Sequence, residues 1–344
     1  MTPLRIAEIY GGGDGGGAAR YMGDVLPLLG QRDEVQLFSL GRDHLEPAGV
    51  PVHRSGTRGT LRGLRSFRPD VLHTHGLRAN LLGRLYGRLR GVAVVTTVHS
   101  FLAQDYPTPE QAGTALLLDG ATLQLSTRLI AVSGAIAQDL LARGALAGQV
   151  AVVPNGIDPS PPDRAALPAL VPGRPLLCIA ARLQPAKGVD VAVEALGLLP
   201  EAQLAVLGEG PQLGDLERLA ASLGCSGRLH FLGYRADFPR IVAGADLLLV
   251  PSRAEGFGLS ALEAMAQGVP VVASAVGALP ELVGPGGVSC RPGDPADLAR
   301  AVREALARRE DLAEAARERA RGYTLAATAE RTRAVLCDAK EAMP

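Results

Sequence analysis

The stretch DLLLVPSRAEGFGLSALEAMAQGVPVVAS, residues 246–274, reads as a strand, a loop, a helix and a second strand. DLLLVP and VPVVAS are continuous apolar runs, the pattern of parallel strands covered on both faces. Between them Gly256-Phe257-Gly258 opens a helix from about Leu259 to Gln267, which Gly268 and Pro270 close. Parallel neighbours need a crossover, and a helix of this length supplies one.

The same alternation runs through the chain. In the first half, strands are expected at 4–9, 34–40, 70–74, 93–98, 128–133 and 149–154, and in the second at 175–181, 202–208, 228–233, 246–251 and 269–274. Two doubly wound, Rossmann-like α/β domains follow. Between them PNGIDPSPPDRAALPALVPGRP, residues 154–175, carries seven prolines and no apolar periodicity, so it reads as a connector of limited flexibility. The expected division is 1–158 for the first domain, 159–174 for the linker, 175–322 for the second domain, and 323–344 for a C-terminal helix packing back on the first.

With 344 residues, the chain is long for one core and comfortable for two. Its 35 basic and 35 acidic residues balance, which gives no support for a nucleic-acid binder. Lysine occurs only at 187 and 340. That arginine bias, with abundant Ala and Gly, suggests a GC-rich bacterial host. Cys178, Cys225, Cys290 and Cys337 are scattered and form no CxxC pair, so neither a zinc site nor a disulfide framework is indicated. A strand begins within four residues of Met1, without a signal pattern, and no apolar run has the length of a membrane span. These features predict a cytoplasmic protein, with peripheral attachment to the inner membrane face left open.

In open parallel sheets, ligands bind beyond the carboxyl ends of the strands. YGGGDGGGAARYM, residues 10–22, follows the first strand and precedes a helical pattern, and a strand, a glycine loop and a helix N-terminus together make an anion site. After PLLCIAA, Arg182 and Lys187 precede the next helix, where both suit a phosphate, the first as a fork and the second as a point charge. After DLLLVP come Glu255 and the amides of Gly258, Leu259 and Ser260, with Glu263 one turn inside the helix. Two carboxylates eight apart can address different parts of one elongated ligand.

EGFGLSALE, with Glu255 and Glu263 in an E-x7-E spacing, resembles the retaining family 4 glycosyltransferases of the GT-B fold. The resemblance covers nearly the whole chain through PDVLHTHG (69–76), TTVHS (96–100), VVPNGID (152–158), ARLQPAKGVD (181–190), LGEGP (207–211), FLGY (231–234) and GVPVVAS (268–274). It implies two Rossmann-like domains facing across a cleft, and sugar transfer from a UDP-, GDP- or ADP-linked donor to a sugar, lipid-linked or small-molecule acceptor. By the same resemblance, Glu263 holds the ribose and Glu255 the donor sugar. Arg182 and Lys187 bind the diphosphate and stabilise its charge as it leaves. Phe257, Gly258 and Leu259, after Gly256, give backbone N–H groups, and Gly233 and Tyr234 lie near the base. From the first domain, the loop containing Gly12, Gly13, Gly15 and Gly16 closes on the diphosphate and His99 contacts the transferred sugar.

His73 and His75 share one face at the end of DVLHT, where they could ligate a metal or lie near the acceptor. No third ligand is evident, and a structural or cleft-lining role is the expectation. The chain has no D-x-D triplet, and the cationic pair can take a metal's place, so neither metal nor cofactor is expected. Arg58, Arg62, Arg65 and Arg68 recur every three or four residues as a basic stripe, suited to an anionic acceptor or membrane surface or simply solvated. The rival readings are a nucleotide-sugar epimerase or hydrolase, a non-catalytic sugar-nucleotide binder, and an NAD(P) oxidoreductase. The last rests on Gly11-x-Gly13-x-x-Gly16, a weak match, and lacks the acid expected at the end of the second strand, where Ser39 and Arg42 precede Asp43.

Overall fold

The computed structural model describes residues 2–12, 16–41, 43–106, 108–158 and 173–343. The chain divides into two compact units, Met1–Gly156 with Leu325–Pro344, and Ile157–Thr324. Most of the proline-rich connector, 159–172, lies outside the described residues, as do Gly13, Gly15 and Arg42.

Among the described residues, unit 1 holds a seven-stranded, fully parallel sheet: β1 (Arg5–Tyr10), β2 (Glu34–Ser39), β3 (Val52–Arg54), β4 (Val71–His75), β5 (Ala93–Val98), β6 (Arg128–Ala131) and β7 (Val150–Val152), in the order 3-2-1-4-5-6-7. The short edge strand β3, with its sequence VHR, has no apolar pattern and is absent from the sequence reading. Ile6, Tyr10, Val71 and Val95 face the helices Gly17–Leu29 and Leu325–Glu341, which bring Met22, Leu26 and Leu336. Ala7, Ile9, Leu72 and Val94 face the opposite way, toward Leu64 and Phe67 of the helix Gly56–Phe67 and Ala79 of the helix Leu77–Arg90.

The C-terminal helix is fastened to unit 1 by polar as well as apolar groups. Arg333 donates through Nε and Nη2 to the two carboxylate oxygens of Asp33 at 2.7 and 3.0 Å, and both residues are buried. Leu336 is fully buried, and a side chain of its size contributes about 2 kcal/mol by area.

Unit 2 has a six-stranded parallel sheet among its described residues: β8 (Leu176–Ala180), β9 (Gln203–Leu207), β10 (Leu229–Gly233), β11 (Leu247–Val250), β12 (Val271–Ser274) and β13 (Gly287–Cys290), ordered 10-9-8-11-12-13. The strand β13, GVSC, lies at the sheet edge and was not anticipated. In each unit the strand order reverses once, between β1 and β4 and between β8 and β11. Those reversals are where the crevice beyond the strand ends opens to a ligand.

The four arginines of the basic stripe are all exposed. Arg58, Arg62 and Arg65 lie along the helix Gly56–Phe67, and Arg68 is its left-handed C-cap with φ 51°. Cys178, Cys225, Cys290 and Cys337 are free thiols. No helix among the described residues is long and apolar enough to cross a membrane.

Candidate functional site

The loop leaving β8 and the loop leaving β11 flank the reversal in unit 2, and their backbones are pinned. Ala181 N–H donates to Leu207 O at 3.0 Å and Leu183 N–H to Glu209 O at 2.9 Å, tying the Arg182 loop to the exit of β9. A short 3-10 turn, Pro185–Lys187, ends at Gly188, whose φ of 64° is left-handed. A Cβ there would stand 2.0 Å from Pro251 O, so only glycine lets this loop lie flush on the exit of β11. Arg253 clamps the two loops: its N–H donates to Ala186 O at 2.8 Å, its Nη1 to Pro185 O at 2.7 Å, and its fork to both oxygens of Asp190 at 2.8 and 2.6 Å.

This frame sets Lys187 Nζ 2.8 Å from Glu255 Oε2, which also accepts from Ser252 Oγ at 3.3 Å. Both side chains keep partial solvent access, 24% for Lys187 and 16% for Glu255. Arg182, on the same loop as Lys187, is exposed. The helix Leu259–Ala266 begins immediately beyond, with Gly258 at φ 102° as an N-cap that offers no side chain to the first amides. The first amides of a helix have no partner within it, and together with the helix dipole they favour an anion. Glu263 lies half-buried in that helix. Farther along the sheet, Tyr234 is 75% exposed, its N–H donates to Glu209 Oε1 at 3.3 Å, and Gly208 N–H donates to Gly233 O at 2.8 Å.

Lys187, Glu255 and the Gly258 helix start are therefore gathered at the exits of β8 and β11, with Arg182 on the Lys187 loop. Gly233 ends β10 and Tyr234 opens the loop that follows. Arg253, Asp190, Gly188 and Glu209 are missing from the sequence reading. An arginine next to an expected site residue was the available signal, but its partner Asp190 lies 63 positions away.

In unit 1, β1, β4 and β5 bring a second polar group together. The register sets Glu8 beside His73 and His75 beside Thr97. Glu8 accepts from His73 Nδ1 through Oε1 and from His75 Nε2 through Oε2, each at 3.0 Å. His73 Nε2 pairs with Thr97 Oγ1 at 2.7 Å, and His75 Nδ1 with His99 Nε2 at 3.0 Å. The Tyr21 ring lies 5.5 Å from that of His75 and 5.2 Å from that of His99, and its hydroxyl pairs with Thr332 Oγ1 at 3.0 Å. At the end of β1, Gly11 N–H donates to His75 O at 2.9 Å, Gly12 follows, and Gly16 caps the helix Gly17–Leu29.

The expectation that His73 and His75 have no third metal ligand beside them is corrected by Glu8, an acid inside the run LRIAEI. Glu8, His73 and His75 place ligand atoms within 4.8 Å of one another. All four ring nitrogens of that pair of histidines are engaged by Glu8, Thr97 and His99, so the group is a closed hydrogen-bonded chain. Burial alone would raise the Glu8 carboxyl, but the charge and hydrogen bonds of the histidines hold it at about 2. Burial, reinforced by neighbouring His73, pushes His75 down to about 4 against the pull of Glu8. Burial, with the two other histidines, lowers His99 well below its ordinary value.

Residues 15–161 match the family described as Glycosyltransferase Family 4, and residues 167–323 the one described as Glycosyl transferases group 1. A D-inositol 3-phosphate glycosyltransferase of Mycolicibacterium smegmatis is 30% identical over 348 aligned positions, covering 83% of this chain and 79% of that protein. The chain belongs to glycosyltransferase family 4. A protein of the same name from Mycolicibacterium gilvum is 35% identical over 254 residues, 66% of this chain. The match spans 56% of that relative, little more than half its length. Anabaena HepE, solved with UDP, has the same fold, with a TM-score of 0.83 at 22% identity over 98% of this chain and 100% of that one. The two parallel α/β units are thus the GT-B architecture of the family.

Proposed function

We propose that this chain moves a sugar from a nucleoside diphosphate donor to an acceptor hydroxyl with retention of anomeric configuration. The observation that carries the reading is the Lys187–Glu255 pair at the strand-order reversal of unit 2, against the start of the Gly258 helix. Arg182, Lys187 and the helix amides stabilise the charge gathering on the leaving diphosphate, the dominant catalytic term where no enzymic nucleophile is required. Glu255 orients hydroxyls of the donor sugar, and donor binding separates it from Lys187. Glu263 holds the ribose, Tyr234 borders the base, and His99 of unit 1 meets the transferred sugar. The cationic pair replaces a metal, so transfer proceeds without one.

The UDP held by HepE puts a UDP-linked sugar first among the donors to be tried, and the name of the mycobacterial relatives puts D-inositol 3-phosphate first among the acceptors. The exposed Arg58, Arg62 and Arg65 suit a phosphorylated acceptor or an anionic membrane surface. A coupled assay for released nucleoside diphosphate tests the reading. Acceptor-dependent release that persists in EDTA supports it. Release without acceptor would identify a hydrolase, and abolition by EDTA with rescue by magnesium would remove the metal-free part.

A further inference from the structure

We propose that Glu8, acting through His75, fixes His99 as the tautomer protonated on Nε2, so that His99 Nδ1 presents a lone pair to a hydroxyl of the bound sugar substrate. The inference rests on the transferase reading for the identity of that hydroxyl, and on the hydrogen-bond geometry of buried, neutral rings for the tautomer. Glu8 and His75 act as positioning residues.

The chain of donors and acceptors leaves one consistent assignment. Glu8 is fully buried, and each of its carboxylate oxygens faces one imidazole nitrogen at 3.0 Å. A carboxylate only accepts, so His75 Nε2 carries a proton. In a neutral ring His75 Nδ1 is then an acceptor, and the 3.0 Å approach of His99 Nε2 requires that nitrogen to donate. A neutral His99 protonated on Nε2 has its lone pair on Nδ1. That atom is buried and has no hydrogen-bond partner among the described residues. A buried acceptor without a donor is costly unless a ligand completes it, and hydroxyl groups are what a sugar brings.

The surroundings restrict the rings to this arrangement. The His75 and His99 rings stack with centroids 5.3 Å apart at 29°, and Tyr21 packs on both. The depressed titration of Glu8, His75 and His99 keeps the carboxylate charged and these two rings neutral near pH 7, as the assignment needs.

The test is two-bond proton–nitrogen correlation NMR on the whole chain with labelled histidine, His99 being assigned by loss of its signals in His99→Gln. His99 in the wild type should appear protonated at Nε2 and bare at Nδ1. In Glu8→Gln, whose amide offers one acceptor where the carboxylate offered two, His99 should become a tautomer mixture. Under the transfer assay the same variant should lose roughly 10- to 100-fold in kcat with donor KM changed less than about twofold, as loss of orientation rather than binding would give. A wild-type His99 protonated on Nδ1 overturns the proposal even if no variant folds, and so does a Glu8→Gln protein with unchanged tautomer and turnover. The tautomer is read without substrate, so absence of any sugar transfer would refute the proposed function and leave the tautomer result standing.

Discussion

Lys187 Nζ lies 2.8 Å from Glu255 Oε2, across two loops that leave different strands of one sheet. The only acid of the 251–258 loop thus neutralises the only lysine of the second unit, and a diphosphate would compete for that lysine. Replacing either partner should therefore damage chemistry more than stability. Lys187→Ala and Glu255→Gln are each expected to lower turnover by roughly 100-fold or more, from the size of lost charge stabilisation at a reacting centre. Both variants should unfold within about 1 kcal/mol of the wild type, because the pair keeps solvent access. Steady-state kinetics alongside denaturant melts would check this, and near wild-type turnover in Glu255→Gln would remove its assigned role.

Arg253 reaches no expected ligand group but holds the two loops in register through Pro185, Ala186 and Asp190. Arg253→Ala should weaken nucleoside diphosphate affinity about tenfold by loosening the Lys187 turn. Lysine should not restore it, since it lacks the fork that meets both Asp190 oxygens. Isothermal titration of the two variants with UDP would show whether they fall together.

Gly188 makes a sharper structural prediction. Its φ of 64°, and the 2.0 Å that would separate an added Cβ from Pro251 O, leave no room for alanine without backbone movement. Gly188→Ala should cost more than about 1 kcal/mol and lower activity with it. Thermal melts and kinetics on that variant should move in the same direction.

Acid should destabilise the chain through the Glu8 chain of unit 1. The Glu8 carboxyl falls from 4.5 to about 2 on folding, so its contribution is present above the ordinary value and lost as pH drops toward 2. His75 falls from 6.5 to about 4, so the unfolded chain takes up that proton first, and stability is full above 6.5 and drains as pH falls toward 4. His99 adds in the same direction. Together they should make the chain less stable by a few kcal/mol at about pH 5 than at about pH 7.5. Denaturant melts at both values would check the sign, and equal or greater stability at the lower pH would contradict it.

The parallel sheets were legible because their strands are buried on both faces and carry continuous apolar runs such as LLCIA and LLLV. Two edge strands, β3 and β13, were not, since VHR and GVSC are fixed by their neighbours rather than by pattern. At the site, Lys187, Glu255 and Gly258 could be picked out because ligands sit beyond strand ends and motif spacing survives in the chain. Arg253 needs Asp190, and Glu8 needs His73 and His75, 65 and 67 positions away, so their roles exist only once the sheet is paired. Glu8 did leave a signal, a charge between the apolar residues Ala7 and Ile9 in the middle of a strand, which folding converts into a buried acceptor for two histidines.

The most direct measurement follows the anomeric proton by NMR while the chain is incubated in EDTA with UDP-, GDP- and ADP-linked hexoses and D-inositol 3-phosphate. Acceptor-dependent appearance of a glycoside with the donor's anomeric configuration, from one nucleotide class, is the result expected. An inverted product, free sugar released regardless of acceptor, or transfer that needs added metal would contradict the account.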